Sequence, residues 1–452
     1  MQPIPANQLL AGLFLAGREP ITAVVTDSRK VSPGCIFVCF AGKNADGHDF
    51  AAQALKQGAA YVVVEHPVPG LPEQKTVLCQ SSHRAMVRMA SNYRTLFSPK
   101  VIGVTGSVGK TTTKEFCCAA LSAFGETVKT EGNQNNEIGL PNTIFRFSSG
   151  TEYAVVEMGM SALGEIERLS RAARPDVGII TSVGTAHLEQ LGSRENILKA
   201  KLEICAGLPD GAPLVLWAGD ECLPCAHLPS RLRPVWFGIN EPLAQVRAEE
   251  IEAQGEGQRF IIRDEEYGRF EAFIPAAGRH NIHNALAAFT AVTRLGLDPA
   301  TAAAALSQYQ STGMRQHIVQ HGGVTVIEDC YNANPDSMRA ALEMFKDFPA
   351  KRRFVLMGDM LSLGPITEQA HEEAGALAAR CGVDYLIAYG PASRRAAVTA
   401  AAKGIKAMHF DTPEDAAEAL ATRLAPGDAL LAKGSRDMAL ENILKLYYDS
   451  KV

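Results

Sequence analysis

A glycine-containing loop between a buried strand and a helix carries the strongest chemical signal in this chain. Residues 101–112 read Val-Ile-Gly-Val-Thr-Gly-Ser-Val-Gly-Lys-Thr-Thr. Glycines let backbone N–H groups turn towards a phosphate, the helix N-terminus adds partial positive charge, and Lys110 can reach the outer phosphates. The strict pattern has glycine where Val104 stands, so Gly106 supplies the early flexibility. We predict a variant phosphate-binding loop formed by Thr105, Gly106, Ser107, Val108, Gly109, Lys110, Thr111 and Thr112, with Thr111 as a Mg²⁺ ligand.

Two later strands run into side chains that could bind a metal. Residues 153–157 form an apolar strand that ends in Glu157, a candidate second Mg²⁺ ligand, because ligands collect at the carboxyl ends of parallel strands. A solvated strand-end glutamate is the alternative. His187 follows the strand near residues 177–181, and the residues alone favour a structural histidine. Lys201 by itself reads as part of a charged helix face without a role.

Two polar loops near the C-terminus follow strands and precede helices. Residues 328–335 read Glu-Asp-Cys-Tyr-Asn-Ala-Asn-Pro and are dense in hydrogen-bonding side chains. Residues 433–436 read Lys-Gly-Ser-Arg, a flexible basic loop suited to hold a carboxylate or phosphate through Arg436. We interpret both as ligand-binding loops, with plain polar connectors as the alternative.

Composition excludes several classes of protein. The chain has 452 residues, 46% hydrophobic and 21% charged, which is ordinary for globular proteins. Its net charge of -5 gives no basic field for nucleic acid, and no apolar run reaches the length of about 18 residues that a membrane span requires. We expect a cytoplasmic monomer that binds no nucleic acid. The pair Cys222 and Cys225 reads as a surface turn, because the sequence has no second Cys-x-x-Cys to complete a zinc site.

Strand and helix patterns alternate throughout, which predicts an α/β protein of about three domains. The first eighty residues form a small α/β unit, and residues 82–97 form a linking helix. From residue 100 buried strands alternate with helices, as in a mainly parallel sheet, and a hairpin over 258–274 closes its edge. After residue 311 the alternation restarts in a Rossmann-like pattern. The predicted domains are 1–82, 83–311 and 312–452.

The order of short motifs along the whole chain is itself informative. These motifs are Asp27-Ser28-Arg29, Gly47-His48-Asp49-Phe50, the loop 105–112, Asn135-Asn136-Glu137-Ile138-Gly139, Glu157, His187, Ala200-Lys201, residues 278–284, residues 329–335 and residues 433–436. In this order they resemble the Mur ligases, and most of all the members that join D-alanyl-D-alanine to UDP-N-acetylmuramoyl-tripeptide. The resemblance covers essentially the full length.

The resemblance implies three domains, which bind the uridine nucleotide, ATP, and the incoming dipeptide. It places the catalytic groups on Lys110, Glu157, His187 and Lys201, with a first Mg²⁺ on Thr111 and Glu157. A second Mg²⁺ would lie on His187 and on Lys201, which in this family is typically carbamoylated. Both residues thereby gain a role that their own surroundings in the sequence did not indicate.

The resemblance also implies the substrate contacts. ATP would contact the phosphate loop together with Asn281, Asn284, Arg315 and Asp329. The other substrates would contact Asp27, Ser28, Arg29, His48, Asn136, Asn332, Asn334, Lys433, Ser435 and Arg436, the first three as a uridine pocket and the last five as a dipeptide pocket.

The implied reaction activates a peptide carboxylate with ATP as an acyl phosphate, which an amine then converts to an amide. Another Mur-type ligase is one alternative. A folylpolyglutamate-type ligase is a second, disfavoured because that family lacks the Asp27-Ser28-Arg29 unit. A nucleotide-switched binding protein is another, disfavoured because the sequence has no Asn-Lys-x-Asp motif that reads guanine. The third residue of the tripeptide stays open between diaminopimelate and lysine.

Overall fold

Short strands and helices build the first part of the chain. The computed structural model describes residues 1–42 and 45–450; residues 43, 44, 451 and 452, inside the predicted domains 1–82 and 312–452, lie outside the described part. An antiparallel pair precedes a four-stranded parallel sheet, with strands β1 (Ile4–Pro5), β2 (Pro20–Ile21), β3 (Ala23–Val25), β4 (Cys35–Val38), β5 (Tyr61–Val64) and β6 (Thr76–Leu78). The helices are α1 (Ala6–Leu9), α2 (Ala51–Lys56) and α3 (Ser82–Arg94). Every residue of β4 and β5 is buried, as expected for parallel strands covered on both faces.

A nine-stranded sheet forms the middle of the molecule, in the order β15-β14-β13-β12-β11-β10-β7-β9-β8. Its strands are β7 (Lys100–Thr105), β8 (Thr127–Lys129), β9 (Tyr153–Glu157), β10 (Val177–Ile180), β11 (Pro213–Trp217), β12 (Arg233–Gly238), β13 (Val246–Gln254), β14 (Gly257–Asp264) and β15 (Gly268–Ile274). All pairs are parallel up to β13, and β14 and β15 form the predicted edge hairpin. The sequence did not predict β12 and β13, because a proline and alternating charges mask their apolar positions.

The middle sheet is wrapped by α4 (Lys110–Leu121), α5 (Gly139–Ile144), α6 (Glu165–Ala173), α7 (Leu188–Leu191), α8 (Arg194–Leu202), α9 (Arg279–Arg294) and α10 (Pro299–Ala305). Helices α4 and α9 pack together in one apolar cluster with β7 and β10, through side chains such as Phe116, Val104, Ile179 and Phe289. This packing fixes the N-termini of both helices beside the carboxyl ends of the central strands.

The third part is a six-stranded sheet with helices on both faces. Its order is β16-β17-β21-β18-β19-β20, and only β16 runs antiparallel among the described strands. The strands are β16 (His317–His321), β17 (Val324–Glu328), β18 (Arg353–Gly358), β19 (Tyr385–Tyr389), β20 (Lys406–Phe410) and β21 (Ala429–Lys433). The helices are α11 (Pro335–Lys346), α12 (Thr367–Arg380), α13 (Ser393–Ala402), α14 (Pro413–Arg423) and α15 (Leu440–Ser450). The α/β class and the Rossmann-like third part are thus confirmed. In the described part of the chain, no helix has the length and apolar character to cross a membrane.

A buried ion pair holds the C-terminal end of α9 against the edge hairpin. Arg294 donates to both oxygens of Asp264 at 2.8 and 3.0 Å, and the side chains are 3% and 0% exposed. Glu266 lies 3.3 Å from Arg294 Nε but is half-exposed, so Asp264 is the buried partner of this guanidinium. A buried charge that loses its buried partner is costly, so the pair helps to fix the position of the helix.

We predict that Asp264→Ala lowers the free energy of unfolding by about 3 kcal/mol, because the buried Arg294 would lose both hydrogen bonds to this carboxylate and keep only the half-exposed Glu266, 3.3 Å away, as an ion-pair partner. The matched control is Glu271→Ala, which removes the exposed partner of Arg259 and should cost less than about 1 kcal/mol. Urea unfolding curves measure both. Equal losses in the two variants would contradict the structural role of the buried pair.

Candidate active site

The loop after β7 is held against the neighbouring strand end by contacts that only glycine permits. Gly106 and Gly109 have φ values of 152° and 87°. A Cβ on Gly106 would lie 1.8 Å from Thr181 Oγ1, and one on Gly109 would lie 2.5 Å from Asn284 Oδ1. The N–H groups of Ser107 and Val108 donate to Ser182, at 2.9 and 3.1 Å. The predicted phosphate loop is therefore tied to residues 181–182 and to the start of α9.

Lys110 begins α4 and folds back over this loop. Its Nζ donates to the carbonyl oxygen of Gly106 at 2.7 Å. Burial lowers the pKa of Lys110, with Glu157 acting in the opposite direction. Because this ammonium is largely removed from water, the negative charge of a bound phosphate would stabilise it. This agrees with the predicted contact between Lys110 and the outer phosphates.

Glu157 lies at the end of β9 and is 1% exposed, so the solvated alternative is wrong. Its Oε2 accepts from Thr111 Oγ1 at 2.9 Å and its Oε1 accepts from Asn135 Nδ2 at 2.8 Å. A hydroxyl and a carboxylate side by side are the oxygen ligands that Mg²⁺ takes beside phosphates, so the residues present fit this ion. Asn135 belongs to one of the motifs that carry the resemblance, but the sequence indicated no role for it. The Nζ of the buried Lys114 lies 4.0 Å from Glu157 Oε2. Nothing in the sequence around Lys114 indicated this pairing.

His187 and Lys201 come from separate elements and interact electrostatically. His187 precedes α7, and burial, then the charges of Lys110 and Lys201, lower its pKa to about 4, so the imidazole is neutral near pH 7. Lys201, on α8, is 2% exposed, which overturns its interpretation as part of a charged helix face. Burial, then repulsion from Lys110, lowers the pKa of Lys201 well below its ordinary value. Its amine has no hydrogen-bond or ion-pair partner within the described ranges.

Asp220 is a further buried acid at this edge that sequence reasoning missed. Its Oδ2 accepts from the N–H of Val183 at 2.7 Å, and its Oδ1 accepts from the N–H groups of Cys222 and Leu223 at 2.8 and 3.0 Å. It is also the acid that opposes the lowering of the Lys201 pKa. The sequence could have indicated Asp220 as a site residue, because only two residues separate it from the end of the apolar strand β11. The hydrogen bonds from the N–H groups of Cys222 and Leu223 to Asp220 also show that the chain around Cys222 forms a turn, as predicted.

The predicted nucleotide contacts line a cleft of about 1540 Å³ between the middle and third sheets. Asn284 Oδ1 accepts from Thr113 Oγ1 at 3.2 Å, and Asn281 donates to Gln316 Oε1 at 2.7 Å. The Arg315 guanidinium stands 4.2 Å from the centre of the Tyr331 ring. The structure thus brings Asn281, Asn284, Arg315 and Asp329 to the same cleft as Ser107, Val108, Gly109, Lys110, Thr111 and Thr112.

The five predicted dipeptide residues separate into two groups. Asn332, Asn334 and Lys433 line the cleft, where Lys433 Nζ pairs with Asp329 Oδ2 at 2.7 Å. Asn334 caps α11 by accepting from the N–H of Ser337 at 2.8 Å. Ser435 and Arg436 are not part of the cleft lining. Ser435 Oγ accepts from the N–H of Leu361 at 2.9 Å, and Arg436 pairs with Glu441.

The remaining predicted substrate residues lie outside the cleft lining. Asp27 pairs with the exposed Arg29, whose guanidinium holds the pKa of that carboxyl down to about 2, and Ser28 lies between them. His48 is buried, and both ring nitrogens bond within the chain, Nδ1 with Asp46 at 2.6 Å and Nε2 with the N–H of Glu65 at 3.0 Å. Asn136 accepts from two backbone N–H groups at the start of α5. His48 and Asn136 thereby shape their loops.

We predict that Asn135→Ala weakens binding of a Mg²⁺–nucleoside triphosphate analogue by about 10–100-fold, because Glu157 loses the donor that orients it. Isothermal titration with and without Mg²⁺ measures the change, which should be confined to the Mg²⁺ series. Asn133→Ala, an exposed asparagine two residues earlier, is the control. An equal loss without Mg²⁺ would show that Asn135 does not act through the metal site.

Comparison with known families agrees with this geometry. The Mur ligase family catalytic domain matches residues 20–94, the Mur ligase middle domain matches residues 104–292, and the Mur ligase glutamate ligase domain matches residues 314–436. The second match contains the phosphate loop, Glu157, His187 and Lys201, and the third contains the loops after β17 and β21.

Individual relatives extend the agreement over the full length. The UDP-N-acetylmuramoyl-tripeptide–D-alanyl-D-alanine ligase of Bacillus subtilis is 38% identical over 94% of this chain and 93% of its own. A crystal structure of MurF from Acinetobacter baumannii superposes with a TM-score of 0.89 at 29% identity, covering 99% of both chains. MurF from Thermotoga maritima, in complex with ADP, superposes with a TM-score of 0.84 at 29% identity, covering 94% of this chain and 97% of that one. The resemblance inferred from the motifs is confirmed: the chain belongs to the Mur ligase family, within its group of UDP-N-acetylmuramoyl-tripeptide–D-alanyl-D-alanine ligases.

Proposed function

We propose that this protein joins D-alanyl-D-alanine to UDP-N-acetylmuramoyl-tripeptide, using ATP, in the synthesis of peptidoglycan precursors. The observation that carries the proposal is a single cleft, lined by the phosphate loop on one side and by Asp329 and Lys433 of the third sheet on the other. Glu157 lies behind this lining and accepts a hydrogen bond from the lining residue Thr111. The relatives over the full length bear the name of this activity. A nucleotide-linked substrate also supports a cytoplasmic location, and the monomeric state stays a prediction.

In this proposal each of the three domains binds a different part of the substrate set. Residues 1–82 bind the uridine nucleotide, with Asp27, Ser28 and Arg29 as the exposed candidates. Residues 83–311 bind ATP through the phosphate loop and Asn281, while Asn284 contacts the adenine. Residues 312–452 close the cleft, bringing Arg315 and Asp329 to the nucleotide and the loops after β17 and β21 to the dipeptide.

The reaction needs a carboxylate converted into an electrophile. A carboxylate oxygen of the tripeptide attacks the γ-phosphorus of ATP, the β,γ P–O bond breaks, and an acyl phosphate and ADP form. Lys110 offsets the negative charge that crowds around the transferred group. Mg²⁺, when bound, would supply further neutralisation of the negative charge at the transferred phosphoryl group. Thr111, Glu157, His187 and Lys201 are the residues that would hold it.

The second half of the reaction forms the amide. The uncharged amine of D-alanyl-D-alanine attacks the acyl carbon, the tetrahedral intermediate expels inorganic phosphate, and the nitrogen loses a proton. Lys433 and Asn332 stand where they can bind the carboxylate of the dipeptide. Closing the cleft keeps water from the acyl phosphate, so transfer to the amine outpaces hydrolysis.

Lys201 fits the second metal position only after a chemical change. An ammonium would repel a cation, but its burial without a partner favours the neutral amine. A neutral amine can add to CO₂ and release one proton, which gives an anionic carbamate with oxygen ligands. We therefore include carbamoylated Lys201 in the proposal, paired with the neutral imidazole of His187.

Lys201→Ala should lower ligase turnover by about 10–100-fold or more, because the metal would lose an anionic ligand. Added formate or acetate should restore part of the activity by occupying the vacated space. ¹³C NMR in labelled bicarbonate should show a carbamate signal in the wild type that the variant lacks. Lys199→Ala, an exposed lysine on the same helix, is the matched control. Full activity in Lys201→Ala without additives would remove the residue from the site.

The ligase activity is tested with purified protein, ATP, Mg²⁺, UDP-N-acetylmuramoyl-tripeptide and D-alanyl-D-alanine. We expect phosphate release that requires both peptide substrates, together with a UDP-N-acetylmuramoyl-pentapeptide detected by mass spectrometry. Lys110→Met should abolish both signals while keeping the fold. Phosphate release without dependence on the dipeptide would instead indicate a plain ATPase or a nucleotide switch. Comparing tripeptides with diaminopimelate or lysine at the third residue identifies the preferred substrate.

A further inference from the structure

An acid of the third part of the chain contacts the middle part next to His187. Asp336, in the first turn of α11, accepts through Oδ2 from the N–H of Thr185 at 3.1 Å, with Thr185 Oγ1 at 3.5 Å. The carboxylate comes so close that a Cβ on Gly184 would lie 2.1 Å from the same oxygen. Glycine at residue 184 is therefore a condition for the contact.

The opposite side of the same short segment is held by the phosphate loop. The N–H of Gly184 donates to Ser107 Oγ at 2.9 Å, and the N–H of Ser107 donates to the carbonyl of Ser182 at 2.9 Å. Two consecutive backbone amides thus bond in different directions, one to the phosphate loop and the next to the third domain. A displacement on either side would be transmitted to residues 184–185.

These residues begin the turn that positions His187. The carbonyl of Thr185 accepts from the N–H of Leu188 at 3.2 Å, and His187 lies within that turn at φ 67°. A non-glycine residue pays for this left-handed conformation, so surrounding contacts must maintain it. The third domain also comes close to the same segment at Gly364, where an added Cβ would stand 3.5 Å from Glu189 Cβ on α7.

We infer that Asp336 is a positioning residue that couples closure of the third domain to the placement of His187. The contact joins the dipeptide-binding loop, which leads into α11, to the segment between the phosphate loop and the second metal position. The inference rests on the proposed function for the role of His187. It assigns Asp336 no contact with substrate, and it predicts that productive geometry at His187 is complete only when the domains meet.

Removing the carboxylate should separate turnover from substrate binding. Asp336→Ala should lower kcat by about 10–100-fold, the range expected for losing a hydrogen bond to a charged group, and leave KM for the UDP-linked substrate nearly unchanged. Asp336→Asn keeps an acceptor oxygen and should recover most of the loss. Glu418→Ala removes an exposed carboxylate on α14 and serves as the control.

Gly184→Ala offers an independent way to break the same contact. Its added methyl group displaces the carboxylate, so the variant should reproduce the kcat loss of Asp336→Ala. The double variant should be no slower than either single one, because both changes remove one shared interaction. Additive losses would show that the two residues act separately and would overturn the inference.

Hydrogen exchange of the ligand-free protein tests the contact without turnover. In Asp336→Ala, a peptide covering residues 183–191 should exchange faster than in the wild type or Glu418→Ala. Unchanged exchange would refute the contact even in an active ligase. If exchange responds but the wild type forms no pentapeptide, the proposed function fails while the coupling between domains stands.

Discussion

Ionisable side chains buried at the carboxyl edge of the middle sheet are the constraint on which the site depends. Glu157, Lys114 and Lys201 are each at most 2% exposed, and an ionised group without water is costly unless charge or hydrogen bonds offset the loss of hydration. Thr111, Asn135 and Lys114 supply that offset for Glu157. Lys201 has no hydrogen bond or ion pair in the described chain, and only the charge of Asp220 opposes the cost of its burial. That difference separates the hydrogen-bonded carboxylate of Glu157 from a lysine suited to modification.

The sheet order explains how these groups meet. β7 lies between β10 and β9, so the phosphate loop, Glu157 and the segment leading to His187 emerge from three adjacent strands at one edge. Helices α4 and α9 pack against the same strands, which fixes Lys110 and Asn284 beside the loop. Close backbone approach at Gly106 and Gly109 then leaves little freedom for the phosphate loop. Rigid placement of this kind lets charges act on phosphate without reorganising.

The third domain covers the cleft and also contributes charged side chains to it. Its parallel strands β17 and β21 place Asp329 and Lys433 as neighbours at 2.7 Å, facing the phosphate loop across the cleft. The start of α11 adds Asp336, whose contact with Thr185 connects the two domains beside His187. Closure and the placement of the side chains proposed to hold Mg²⁺ would thereby be one event. An enzyme with a reactive acyl phosphate benefits, since chemistry would wait until water is excluded.

The sequence by itself determined the α/β class and the family, and it predicted the phosphate loop and Glu157 as site residues. Each motif is a local pattern, since an apolar strand, a glycine turn and a helix start lie within about a dozen residues, and the family follows from the order of such motifs along the chain. It did not reveal the burial of Lys201, the donor role of Asn135 or the acids Asp220 and Asp336. It also placed Ser435 and Arg436 with residues that line the cleft, whereas the structure bonds them to Leu361 and Glu441. Tertiary structure decided these points because burial and partnership are set by which strand edges and helix starts come together, and residues 185 and 336 meet only after two sheets have formed.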